Sequence, residues 1–190
     1  MLEELGVKYT AININLEKRE QFSAEFSKLS PSNKIPVIVD KENNLTLFES
    51  GAILLYLAGK YKKFLNKNKH WDVIQWLFFQ MAYVGPMLGQ AHQYLFYNAG
   101  KSQFAEDKSK AYTKHVYEIL NSRLLNKEYI SEEYSIADIA IWPGTARFDR
   151  HQINLHDYPN VLRWYKLIAK RPAVIKGYNV VGDFYEIPIP

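Results

Sequence analysis

Glu49 and Ser50 stand where the chain changes from an alternating apolar pattern, Leu45 to Phe48, to a helical one. A helix that opens there presents unpaired N–H groups and the positive end of its dipole, both of which stabilise a ligand carboxylate. Ser50 adds a hydroxyl donor, and Glu49 supplies the negative charge that an ammonium group needs. Together they suit the free α-amino acid end of a ligand, although an isolated Glu-Ser pair reads better as a plain helix cap. Upstream, Ile35-Pro36 opens a short apolar run, where proline fits an edge strand. Gln21 and Lys34 are polar positions that serve as exposed surface unless something nearby recruits them.

Other chemistries find less support. The chain has no cysteine, which excludes disulfides, thiolate metal sites and a thiol nucleophile of its own. His92 and His115 have no partner at ligand spacing on a shared helix face, so core or surface roles are expected for them and no metal is. No serine sits on a nucleophile elbow.

The elements that must position these residues follow from periodicity. Val7 to Ile14 alternates apolar and polar and predicts a strand. Leu16 to Leu29 spaces Phe22, Phe26 and Leu29 as an amphipathic helix, which Ser30-Pro31 ends. Ile35 to Val39 and Leu45 to Phe48 form a hairpin about a polar turn at Asp40 to Asn44. A helix runs from Glu49 to about Tyr61, and Lys60 to His70 reads as a solvated connector.

The remainder is helical. Trp71 to Asn98 is one long element interrupted at Gly85-Pro86, and Ser102 to Leu125 is a second. Ser135 and Asp138 make a capping box for a third. Tyr158 to Lys170 is a fourth, stopped by Arg171-Pro172, with a further turn or two from Ala173 to Tyr178. Glu186 to Pro190 reads as a tail without core content.

The 190 residues are 47% hydrophobic and 23% charged, the balance of a folded soluble protein. A net charge of +4, well mixed, gives no argument for nucleic acid. The longest apolar stretches, such as Trp76 to Phe79, are far too short to span a membrane, and the amino terminus lacks the features of a signal peptide. A cytoplasmic location is expected.

Two stretches sharpen this outline: Ser30-Pro31-Ser32-Asn33-Lys34-Ile35-Pro36-Val37-Ile38-Val39-Asp40 and Leu47-Phe48-Glu49-Ser50-Gly51-Ala52-Ile53-Leu54-Leu55-Tyr56-Leu57. This pair resembles the glutathione-site half of the cytosolic glutathione transferases. The later runs Val84 to His92 and Tyr134 to Pro143 resemble the branch that holds the bacterial nu-class disulfide-bond reductases and the fungal nitrogen-regulatory prion protein. The likeness extends to about residue 178.

The resemblance implies an α/β, thioredoxin-like domain over residues 1–62, packed on an all-helical domain over 70–180, with 181–190 as a tail. It implies a cis Ile35-Pro36 bond, which turns the backbone groups of Ile35 toward an extended peptide. It assigns glutathione as cosubstrate, held by Gln21, Lys34, Ile35, Pro36, Glu49 and Ser50, with Gln21 and Lys34 at the glycyl end. The partners implied are a small electrophile or disulfide and a second copy of the chain. In that branch a basic side chain from the partner subunit also reaches the ligand, and the matching stretch around Lys114 and His115 offers no arginine. A few of the rings at Trp76, Phe78, Phe79, Tyr83, Tyr94, Phe96 and Tyr97 are expected to wall an apolar second-substrate site.

The same resemblance places the family's first strand and its thiol-activating loop ahead of Met1. No residue here is therefore assigned the catalytic role, and weak turnover is expected. A start placed late on a longer reading frame is the favoured explanation, with a degenerate gene product as the other. The competing functional expectation is a non-catalytic regulatory or interaction protein.

Overall fold

The computed structural model describes residues 1–180 and 186–190. A short helix, α1 (Leu2–Leu5), ends at Gly6, whose φ of 67° is the left-handed conformation that glycine adopts without strain. Two ion pairs fasten α1 to the last helix, α9 (Pro172–Tyr178). Arg171 grips Glu4 through two bonds of 2.7 and 2.8 Å, and Lys176 meets Glu3 at 2.7 Å.

The strand expected over Val7 to Ile14 does not form. Residues 8–14 make no backbone hydrogen bond with any described residue, and Ile12 is 79% exposed. Alternation favours a strand only where a neighbour completes the ladder, and no described segment lies alongside. The helix expected over Leu16 to Leu29 is also shortened. Arg19 takes a left-handed φ of 60°, residues Glu20–Phe22 make one 3₁₀ turn, and α2 occupies only Ala24–Leu29. Ser23 starts that helix by accepting a hydrogen bond from the Phe26 amide at 3.2 Å, because a serine oxygen competes well for an open helix end.

The hairpin forms as expected. β1 (Val37–Asp40) pairs antiparallel with β2 (Leu45–Phe48), with Val37 opposite Phe48 and Asp40 opposite Leu45. Asp40 locks the turn to the next helix, α3 (Ser50–Tyr61): its carboxylate accepts from Lys60 Nζ at 2.6 Å and Tyr56 OH at 2.5 Å. The ammonium and phenol hold that carboxyl well below the usual carboxylate range.

The stretch read as a solvated connector is tied down. Phe64 and Leu65 pack against the core, Phe64 O accepts from the Ile136 amide at 2.9 Å, and Asn66 donates to Glu133 at 2.7 Å. Lysines dominate its composition, yet its two apolar residues decide where it lies.

Beyond it, α4 (His70–Phe79) and α5 (Gly85–Ala91) are joined by a π turn over Gln80–Val84, and a second π turn follows over His92–Tyr97. The expected interruption at Gly85-Pro86 takes the form of the first π turn, which leads directly into the proline and absorbs its missing N–H. α6 (Gln103–Arg123) starts at a Ser102 cap. α7 (Ile136–Thr145) carries the predicted capping box, and α8 (Pro159–Ala169) begins on its proline.

The core lies among these helices, around Leu77, Val116, Leu120, Ile141, Trp164 and Tyr165, all essentially inaccessible. The terminal segment is not empty of core content: Ile187 packs on this core and the Tyr165 hydroxyl donates to Pro188 O at 2.6 Å. The rest of the predicted tail, residues 181–185, lies outside the described residues. No described helix is long and apolar enough to cross a membrane. The expected architecture, a small α/β unit on a helical bundle, is the one observed.

Candidate glutathione site

The hairpin register gathers the candidate residues. The ladder closes with Val37 opposite Phe48. Immediately beyond that last pair stand Pro36 on one arm and Glu49 on the other, followed by Ile35 and Ser50. The Ile35–Pro36 peptide is cis, and neither main-chain group of Ile35 bonds to a described residue. The exposed backbone of this stretch is thus available to an extended ligand.

Glu49 holds a φ of 68°, a conformation that costs a non-glycine residue roughly 1–3 kcal/mol and that concentrates at ligand sites. Its side chain is exposed, makes no ion pair among the described residues, and does not cap α3. Nothing described accepts from the amides of Ser50, Gly51 and Ala52 either. The helix therefore opens with free donors beside a free carboxylate, which argues against the plain-cap reading. Ser50 is half-buried, with its hydroxyl 3.7 Å from Met81 Sδ. Gly51 makes this close packing possible, since a methyl group there would lie 3.1 Å from Met81 Cγ and Sδ.

Two residues outside the six candidates hold the loop before Pro36. Ser30 is fully buried, and its hydroxyl bridges both ends of the Lys34 backbone, receiving from the amide at 3.2 Å and donating to the carbonyl at 2.9 Å. Asn33, at φ 53°, donates to Gln21 O at 2.7 Å and Ser27 Oγ at 2.6 Å, which draws the Gln21 turn to this loop. Gln21 Oε1 is buried without a partner among the described residues. Lys34 is exposed and makes no described ion pair. All six candidates thus fall around one end of the hairpin. The signal for Asn33 was present: asparagine between turn residues is the side chain that best tolerates a left-handed backbone.

Two clefts of about 450 and 530 Å³ lie elsewhere, one walled by Phe64, Leu65 and Glu133, the other by Glu4 and Arg171. Neither includes any of the six residues. An extended peptide lying along exposed backbone requires no enclosed cavity.

The histidines do not form a metal cage: among the described residues no three His, Cys, Asp or Glu side chains converge. His92 stands 4.7 Å from the ring of buried His151, whose Nδ1 is 3.1 Å from Tyr117 OH. Burial pushes His151 down to about 3, helped by His92 and Arg147, so the ring is neutral at pH 7. His115 lies 3.7 Å from Glu118 and edge-on to Tyr83. Of the aromatic run, Trp76, Phe79 and Tyr83 pack against the core, while Phe78, Phe96 and Tyr97 are exposed.

Comparison with known proteins places this arrangement. Residues 1–59 match the family model for the glutathione S-transferase N-terminal domain, and residues 79–172 match that for the C-terminal domain. The disulfide-bond oxidoreductase YfcG of Escherichia coli is 43% identical over 180 residues, covering 90% of this chain and 84% of that protein. A glutathione transferase structure from Pseudomonas putida, with one glutathione disulfide bound per subunit, superposes with a TM-score of 0.90 at 36% identity, covering 95% of this chain and 84% of that one. The transcriptional regulator URE2 of Saccharomyces cerevisiae is 27% identical, over 93% of this chain and 62% of its own length. With matching models over both halves and a sequence this near to YfcG, the chain belongs to the glutathione S-transferase family.

Proposed function

We propose that the chain binds glutathione at the open end of the hairpin and uses its thiolate to reduce disulfide bonds. One observation carries the reading: the Val37–Phe48 end of the ladder leads on one arm into the cis Ile35-Pro36 backbone and on the other into Glu49 and Ser50, at a helix start with no side-chain cap. Glu49 takes the ammonium of the γ-glutamyl end, while Ser50 and the free α3 amides take its carboxylate. Ile35 and Pro36 present main-chain groups to the cysteinyl unit, and Gln21 and Lys34 hold the glycyl end. The 1–62 unit supplies this grip and the helices of 70–180 back it.

In the reaction, the thiolate attacks one sulfur of a disulfide, whose S–S bond breaks as a mixed disulfide forms. The released thiolate takes a proton, and a second glutathione then yields glutathione disulfide and the other thiol. The likeness to YfcG and to a neighbour crystallised with glutathione disulfide favours this over conjugation to an electrophile. None of the six residues is assigned to the sulfur. A free thiol with a pKa of about 8.5 is largely protonated at pH 7, so a donor or positive charge beside the sulfur would raise the rate. A cytoplasmic homodimer fits this chemistry, and exposed Trp71, Phe78 and Phe104 offer apolar surface for a second copy.

Retention on immobilised glutathione, lost in Glu49→Ala and in Ser50→Ala, tests the site. Reduction of a small disulfide such as 2-hydroxyethyl disulfide tests the reaction. A second reading, a regulatory protein that binds without turning over, is favoured by the likeness to URE2. Retention without any disulfide reduction would select it. A folded protein that is not retained would remove both.

A further inference from the structure

We propose that Asn33 is a positioning residue that sets Gln21 at the correct distance from Pro36, and so tunes recognition of the glycyl end of the tripeptide. The inference rests on the glutathione reading above. Among the described residues, the hydrogen bonds of residues 20–22 are otherwise local. Glu20 N donates to Asn15 O, Phe22 N to Arg19 O, and Glu20 Oε2 accepts from Asn15 N. The bond from Asn33 Nδ2 to Gln21 O, 2.7 Å long, is the one that ties this turn to the loop carrying Lys34 to Pro36.

The chemistry at position 33 is demanding. The carbonyl of Gln21 only accepts, so the group facing it must be a donor, and this decides which carboxamide atom points there. The second Nδ2 hydrogen goes to Ser27 Oγ at 2.6 Å, which joins α2 to the same point. The backbone at Asn33 has a φ of 53°, which asparagine tolerates better than most side chains. On the other side, Ser30 clamps Lys34 through both its amide and its carbonyl, so the loop is stiff where Asn33 leaves it. Gln21 thus hangs from a rigid loop by one donor, with its own Oε1 buried and unpartnered among the described residues.

Two variants separate the parts of this argument. Asn33→Gly keeps a backbone at ease with positive φ and deletes the clamp. Asn33→Asp keeps the shape but sets a carboxylate against the Gln21 carbonyl. The probes are glutathione and γ-glutamylcysteine, which lacks the glycyl unit, with affinities read by calorimetry. Loss of one such bond corresponds to about a tenfold change in affinity. Both variants should therefore bind glutathione about tenfold more weakly while γ-glutamylcysteine affinity is unchanged. Amide exchange at Phe22 and Ser23, measured without ligand, should accelerate about tenfold. Equal losses for the two thiols, or unchanged exchange, would overturn the role of Asn33. Failure of the unmodified protein to bind glutathione would instead overturn the functional reading, and this inference with it.

Discussion

Replacing Asp138 by alanine offers the most direct test of how the helical half is held together. Its carboxylate is fully buried and receives four donors: the amide of Ile130 at 2.9 Å, the amide and hydroxyl of Ser135 at 3.0 Å each, and Trp164 Nε1 at 2.9 Å. These tie the start of α7 to the preceding loop and to α8. Three of the donors are fixed in direction, whereas the Ser135 hydroxyl can rotate away. Each buried donor left alone costs about 1–3 kcal/mol. Against this stands the cost of burying the carboxylate, which pushes its pKa up against the pull of its donors. We expect a net loss of about 3–5 kcal/mol, a large part of the roughly 5–15 kcal/mol that holds a typical domain. At about 2–4 °C per kcal/mol for a chain of this size, the melting temperature should fall by roughly 6–20 °C. Asp138→Asn keeps one acceptor for Ile130 and Trp164 and should lose less. Urea unfolding followed by tryptophan fluorescence and by circular dichroism reads both variants. An alanine variant within about 1 kcal/mol of the parent, or an asparagine variant worse than alanine, would refute the reasoning.

His151 predicts a pH dependence. Its pKa is about 3 in the fold and 6.5 when solvated, so the unfolded chain binds the extra proton between those values. Stability should rise with pH across that window, by up to about 1.4 kcal/mol per unit, and level off above 6.5. In His151→Gln the slope should shrink; the same slope in both proteins would show that other groups cause it. Gly51→Ala sets a methyl group 3.1 Å from Met81 and should destabilise by about 1–3 kcal/mol, with partial recovery in Gly51→Ala/Met81→Ala. Thermal melts of the single and double variants check this, and additive effects would mean the two side chains do not compete for the space.

Periodicity and punctuation were enough to read the hairpin, α3, the Ser135–Asp138 box and the proline-led start of α8, because each is decided within a few neighbouring residues. Ser-Pro at 30–31 and Arg-Pro at 171–172 disfavour helix at the residue before the proline, a local effect. The Glu49-Ser50 and Ile35-Pro36 pairs were legible as chemistry for the same local reason. What failed was long-range. Val7 to Ile14 has a strand's alternation, but a strand is a relation between two segments, and no described partner lies beside it. The lysine-rich connector looked free until Phe64 and Leu65 found the core, and Ile187 did the same at the far end.

The amino-acid sequence by itself determined the local turns, the helix starts and the identity of the residues able to grip a peptide. Only the tertiary structure decided that Val37 faces Phe48, that Asn33 reaches Gln21, and that His151 is shut away from water. Dihedral preference and capping act over one turn of chain, whereas register, burial and hydrogen bonds between distant residues exist only once apolar surface has been removed from water and the backbone has been forced to find its partners.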